Sequence, residues 1–201
     1  MLKIDWATHE ATKFACTHFH YSKSVPAGKL IKVGAWEDDK FIGVVIFSRG
    51  ANKSIGSPYG LTQTECCELT RVALTKHKAF VSEVLAEAIR FLKRMCPDMQ
   101  LIVSYADTEQ GHKGEIYQAT NWLYEGKTGG ERYFIVNGKK THPKSIYAKY
   151  GKGSQSIKWL RANVDKLATE YTTTGKHKYL MPLDKKMRKQ IIKLHKPYPK
   201  E

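Results

Sequence analysis

The stretch from Thr64 to Asp107 limits the possible folds more than any other part of the chain. "TECCELTRVALT" (64–75) presents Cys66, Leu69, Val72 and Leu74 as the buried contacts of a strand. Residues 79–95 then place Val81, Val84, Leu85, Ala88, Leu92 and Met95 on one helical stripe, which Pro97 ends. A second apolar run, Leu101-Ile102-Val103, opens a strand over 100–106. A long helix between two strands acts as a crossover, and a crossover makes its strands parallel neighbours. The expected fold is therefore α/β (α+β), a mixed central sheet with a parallel centre and helices on its faces.

The flanking segments fit that frame. Residues 8–20 carry Ala11, Phe14, Ala15 and His18 at helical spacing, and "SKSVPAGK" (22–29) breaks the helix. "KLIKVGAWED" and "KFIGVVIFSRG" read as an antiparallel hairpin turning at Asp38-Asp39. Residues 51–63 are rich in turn formers. Beyond the central unit come a loop, a helix over 114–121, strands over 122–127 and 131–136, and a turn in "VNGKK".

Charge divides the chain unevenly. Residues 139–201 hold 17 Lys and Arg against 4 Asp and Glu, whereas residues 1–138 hold 17 against 15. The expected organisation is a catalytic domain over 1–138 and a basic helical extension over 139–201. A near-neutral body with a basic extension points to a polyanion, most simply double-stranded DNA. Aromatic and apolar residues interleaved with the lysines (Ile146, Tyr147, Trp159, Tyr179, Leu180) argue that the extension folds. No apolar run is long enough to span a bilayer, and no signal peptide opens the chain. Four cysteines without CxxC spacing suit reduced thiols in a cytoplasm.

Ligands in open α/β sheets dock where neighbouring strands part, at their carboxyl ends. That rule puts Leu74 and Thr75 beside Ser104, Tyr105 and Asp107 as the expected site. Asp107 reads either as a proton acceptor or as a turn residue satisfying loop amides. Tyr117 reads either as an acid or as a packed ring whose hydroxyl bonds a carbonyl. Arg71, on the central strand, is a candidate for phosphate or for an ion pair. Gly111 and Gly114 permit a turn or a close approach to a ligand.

The element order resembles the GNAT-type N-acetyltransferase fold. In that family a strand feeds a pyrophosphate loop at the start of the long helix, where backbone N–H groups hold coenzyme A. "RVALTKHKAFVSEVL" occupies this place, so the resemblance implies acetyl-CoA contacts from Val72, Leu74, Lys76 and Ser82. The family's glycine-rich loop is missing, since no glycine lies between Gly60 and Gly111. Tyr117 in "IYQATNW" falls where that family carries an acidic tyrosine.

A more specific resemblance joins "FHYSKSVPAGKLIKVGAWEDDKFIGVVIFSRGANKSIGSPYGL", "CELTRVAL", "SYADTEQGHKGEIYQATNWLY" and "HKYLMPLDKKMRKQI". In this order they resemble the Mom family of bacteriophage DNA-modification proteins, over residues 14–200. The resemblance implies transfer of a carbamoylmethyl (acetamido) group to the exocyclic amine of adenine, blocking host restriction in the bacterial cytoplasm. It implies acetyl-CoA and iron as cofactors, with His20 and Tyr21 as metal ligands and Asp107 as a distant third. For the reaction it implies Asp107, Tyr117, Arg71 and Ser104, with Tyr105, Tyr117 and Tyr59 stacking on an extruded base. A DNA-binding scaffold without activity and an N-acetyltransferase for protein or RNA are the rival readings.

Overall fold

The structure, a computed structural model, describes residues 1–49 and 54–200. The chain divides into two compact units. The first comprises residues 1–106, 113–126 and 177–201, and the second residues 107–112 and 127–176.

The first unit is built on a seven-stranded sheet. Its strands are β1 (Leu2–Trp6), β2 (Leu30–Glu37), β3 (Lys40–Ser48), β4 (Cys66–Leu74), β5 (Leu101–Asp107), β6 (Leu123–Lys127) and β10 (Lys176–Pro182). They lie in the order β1-β2-β3-β4-β5-β10-β6. The expected hairpin joins β2 to β3. Asp38 and Asp39 turn it with φ of 48° and 62°, the left-handed pair that a two-residue hairpin turn requires. The expected crossover also forms. Helix α2 (Val81–Met95) links β4 to β5, and these two strands pair in parallel.

β3 is buried on both faces, and its alternation assigns them. Val45 and Phe47 meet α2, while Val44 and Ile46 meet α1 (His9–Phe19). β4 obeys the same period until a bulge opposite Ile46 and Phe47 skips Thr70. Cys67 and Leu69 face the α2 core before the bulge, and Val72 and Leu74 face it afterwards. One extra residue has reversed the parity of the strand.

The expected division at residue 138 is not where the units part. β10 lies between β5 and β6, and it buries Tyr179 and Leu180 completely. Helix α6 (Lys185–Ile191) follows it and buries Met187 and Ile191 in the same unit. The basic C-terminus is thus part of the central sheet rather than a helical appendage. The chain beyond α6 covers the β6 edge, where Lys196 N donates to Tyr124 O and Tyr124 N donates to His195 Nδ1.

The second unit carries its own small sheet. β7 (Arg132–Val136), expected in the main sheet, instead pairs with β8 (Lys139–Thr141) and β9 (Thr169–Thr172). Phe134 and Val136 pack with Ile146 of α4 (Pro143–Tyr150) and Leu160 of α5 (Ile157–Asn163). Thr128 N donates to Lys176 O and Lys176 N to Thr128 Oγ1, so the ends of this segment meet.

Candidate active site

β4 and β5 pair from Cys66–Leu101 to Leu69–Ser104 and no further, although both strands continue. At the last pair a side chain replaces the backbone ladder. Ser104 Oγ, fully buried, lies 2.9 Å from the Leu69 carbonyl oxygen and 2.8 Å from the Tyr117 hydroxyl. One hydroxyl has one proton, so Ser104 can donate to the carbonyl and accept from the phenol. The expected divergence of the central strands is therefore present, and it is held open by a polar pair.

Tyr117 reaches this point from α3 (Glu115–Gln118), a single turn where a longer helix was expected. Its ring lies between Trp122 and Tyr179, with centroids 4.9 and 5.0 Å away. Burial pushes its phenol up to about 12, with the Ser104 hydrogen bond opposing. Tyr117 is consequently a neutral hydrogen-bond donor at ordinary pH. Gly114 starts the turn at φ +90°, and a Cβ there would stand 2.4 Å from the Tyr179 ring. Its freedom thus serves both a turn and a close approach, and the neighbour is an aromatic side chain of the same unit.

The other expected residues are placed less uniformly. Arg71 follows the bulge, so it shares the parity of Ala73 and turns toward α1, where Cys16 feels its charge. Its Nη1 donates to Thr70 O at 2.7 Å, and its buried Nε has no hydrogen-bond partner among the described residues. The bulge therefore takes Arg71 off the sheet face that carries Ser104. Asp107 begins the second unit, where its carboxylate accepts from Glu109 N at 3.0 Å. It thus serves there as a turn residue. Val72 and Leu74 pack against the α2 core. Lys76 is exposed ahead of α2, and Ser82 lies half-buried in its first turn.

The residues ahead of α2 do not fit a coenzyme A diphosphate as they stand. Glu37, at the end of β2, accepts from the backbone N–H of Lys78 at 2.8 Å and of Ala79 at 2.7 Å. Glu83 accepts from Phe80 N at 3.1 Å. Iron fares no better. His20 Nδ1 accepts from Ser22 N at 3.1 Å, which leaves the ring proton on Nε2 and no lone pair for a metal. Among the described residues no three His, Cys, Asp or Glu side chains gather as a metal site.

Sequence reasoning missed Glu37, whose only signal was an acid ending an otherwise apolar strand. It also missed a polar cluster on the opposite sheet face. The Tyr59 hydroxyl donates to Glu125 at 2.6 Å, and Lys178 reaches the same carboxylate oxygen at 2.9 Å. Burial, then the Glu125 hydrogen bond, raises the Tyr59 phenol far above its usual value. Tyr59 and Tyr117 are 3% and 8% exposed, so neither offers a free face to a base. Two of the open rings stand on α1 and just beyond it. Phe14 and Tyr21 are each 49% exposed, stacked on His18 at 4.3 Å and beside His20 at 4.2 Å. Tyr21 is close enough to Tyr117 for its charge to act on that phenol.

Solved structures with this architecture are N-acetyltransferases. One from Staphylococcus aureus superposes with a TM-score of 0.51 at 13% identity, over 91% of this chain and 98% of that one. A variant of the spermidine N-acetyltransferase SpeG from Vibrio cholerae gives 0.53 at 10% identity, over 94% and 96%. The strand order and the parted central strands are those of the GNAT-type fold. A model of the Mom protein family matches residues 1–200. The methylcarbamoylase mom of Escherichia phage Mu is 26% identical over 188 residues, 90% of this chain and 76% of that protein. The chain belongs to the Mom family.

Proposed function

We propose that this protein modifies adenine in double-stranded DNA, adding a carbamoylmethyl group to the exocyclic amine and so shielding phage DNA from restriction. The observation that carries the proposal is the buried Ser104–Tyr117 pair at the point where β4 and β5 part. The carbamoylmethyl group is what the family resemblance implies, and the phage Mu relative is named a methylcarbamoylase.

The product bonds the amine nitrogen to a methylene carbon. An N–H bond and the bond from carbon to its leaving group must break, and one N–C bond must form. The leaving group takes a proton, and Tyr117, neutral and hydrogen-bonded, is the residue suited to give it. The amine's proton is released to water. Acetyl-CoA and iron enter none of these steps. A base paired inside a duplex cannot reach a buried hydroxyl, so adenine must be extruded, at a cost of a few kcal/mol. The half-exposed ring of Tyr21 gives the extruded base a stacking surface, in place of the buried Tyr117 and Tyr59.

Plasmid DNA from cells making the protein is expected to resist restriction enzymes whose sites contain adenine, while sites without adenine are cut normally. Full cutting at adenine-containing sites, with abundant folded protein present, would contradict the proposal.

A further inference from the structure

The loop that enters α2 offers an anion seat of backbone N–H groups, and the chain has filled it by itself. A fifteen-residue helix presents unpaired N–H groups and the positive end of its dipole to whatever precedes it. In the loop just ahead of the N-cap Phe80, Glu37 spans the backbone N–H groups of Lys78 and Ala79 with both carboxylate oxygens, at 2.8 and 2.7 Å, from 41 and 42 residues away in sequence. Glu83 accepts from the N-cap amide, Phe80 N. His77 Nδ1, 2.6 Å from Thr75 O, braces the same loop. The amides hold the Glu37 carboxyl below its ordinary range, as bonds to the charged form do. Lys78 stands 3.6 Å from Asp38, so this lysine of the loop already has a carboxylate beside it.

A diphosphate arriving here would have to break two charge-assisted hydrogen bonds. It would also lie against the displaced carboxylate and against Asp38, like charges at close range. The loop has no glycine to let the backbone close around a second anion. We propose that Glu37 is a specificity-determining residue: it occupies the anion seat ahead of α2, so the protein reads no diphosphate on its donor there. This rests on the reading of the protein as a group-transfer enzyme, and it assigns the donor a chemistry. The transferred group comes from a carrier recognised by something other than a diphosphate at this helix.

Inorganic pyrophosphate, coenzyme A and pantetheine test it without any modification assay. In the wild-type protein, pyrophosphate is expected to leave the amide resonances of residues 78–80 unmoved. Coenzyme A is expected to bind no more tightly than pantetheine. Glu37→Ala is expected to open the seat, with pyrophosphate shifting those amides and coenzyme A gaining about tenfold or more over pantetheine, as one to two recovered charged hydrogen bonds imply. Should the alanine variant lose its loop, Glu37→Gln removes the charge, keeps an oxygen acceptor, and should show a smaller gain in the same direction. Wild-type amides that shift with pyrophosphate as strongly as the variant's would overturn the proposal. So would folded Glu37→Ala and Glu37→Gln proteins that gain nothing. Absence of modified adenine in cells would contradict the proposed function and leave these binding results standing.

Discussion

Tyr117→Phe is expected to lower adenine modification by about 10²–10⁴-fold, the range typical of losing a positioned acid or base. The ring keeps its place between Trp122 and Tyr179, because that packing needs no hydroxyl. Ser104 keeps the Leu69 carbonyl, so the cost in stability should be only about 1 kcal/mol. The same variant carries a pH signature. A tyrosine exposed by unfolding ionises near about 10, whereas folded Tyr117 does so at about 12. Below the first value both states are neutral and nothing is at stake. Between the two the unfolded chain releases its proton first, so stability falls as pH rises. Tyr117→Phe should make the alkaline loss of stability in urea shallower. Near-wild-type modification by this variant would remove Tyr117 from the chemistry. A loss of stability large enough to account for the lost activity would reduce it to a packing role.

The second large effect concerns DNA affinity. Helix α6 buries Met187 and Ile191 and turns Lys185, Lys186, Arg188 and Lys189 to solvent. Replacing these four with glutamine should leave the core intact, since none of them lines it. For every phosphate these side chains no longer neutralise, the dependence of log affinity on log salt is expected to flatten by about 0.9 for duplex DNA. If all four bind phosphate, duplex affinity at moderate salt should fall by orders of magnitude, with a correspondingly flatter slope. An unchanged slope would mean that these lysines and arginine are only a solvated face. Ending the chain at Gly138 cannot serve as this test. It would remove β10 from between β5 and β6, and with it the fully buried Tyr179 and Leu180.

The strand, helix and strand over 64–107 were legible because their apolar periods are strong and local. The Asp38-Asp39 hairpin was legible for the same reason, and Ser104 and Tyr117 followed from their places in that order. What stayed hidden depends on contacts distant in sequence. β10 reads as part of a lysine-rich tract, since "KHKYLMP" has only a short apolar core and its place beside β5 comes from pairing alone. Arg71 was a candidate for the site from its place on the central strand, and one skipped residue at Thr70 turns it to the other face. Nothing in the local pattern around a bulge announces it. The role of Glu37 appears only when residues 41 and 42 positions apart are brought together. The second unit folds from segments that looked like one more pair of strands and the start of a tail.

The measurement that bears most directly on the proposed function is the mass of the deoxyadenosine recovered from DNA of cells making the protein. A fraction of it is expected to be heavier by one carbamoylmethyl group in place of a hydrogen, and that fraction should vanish with Tyr117→Phe. Deoxyadenosine heavier by one acetyl group would mean ordinary acetyl transfer, and unmodified deoxyadenosine alone would contradict the proposed function.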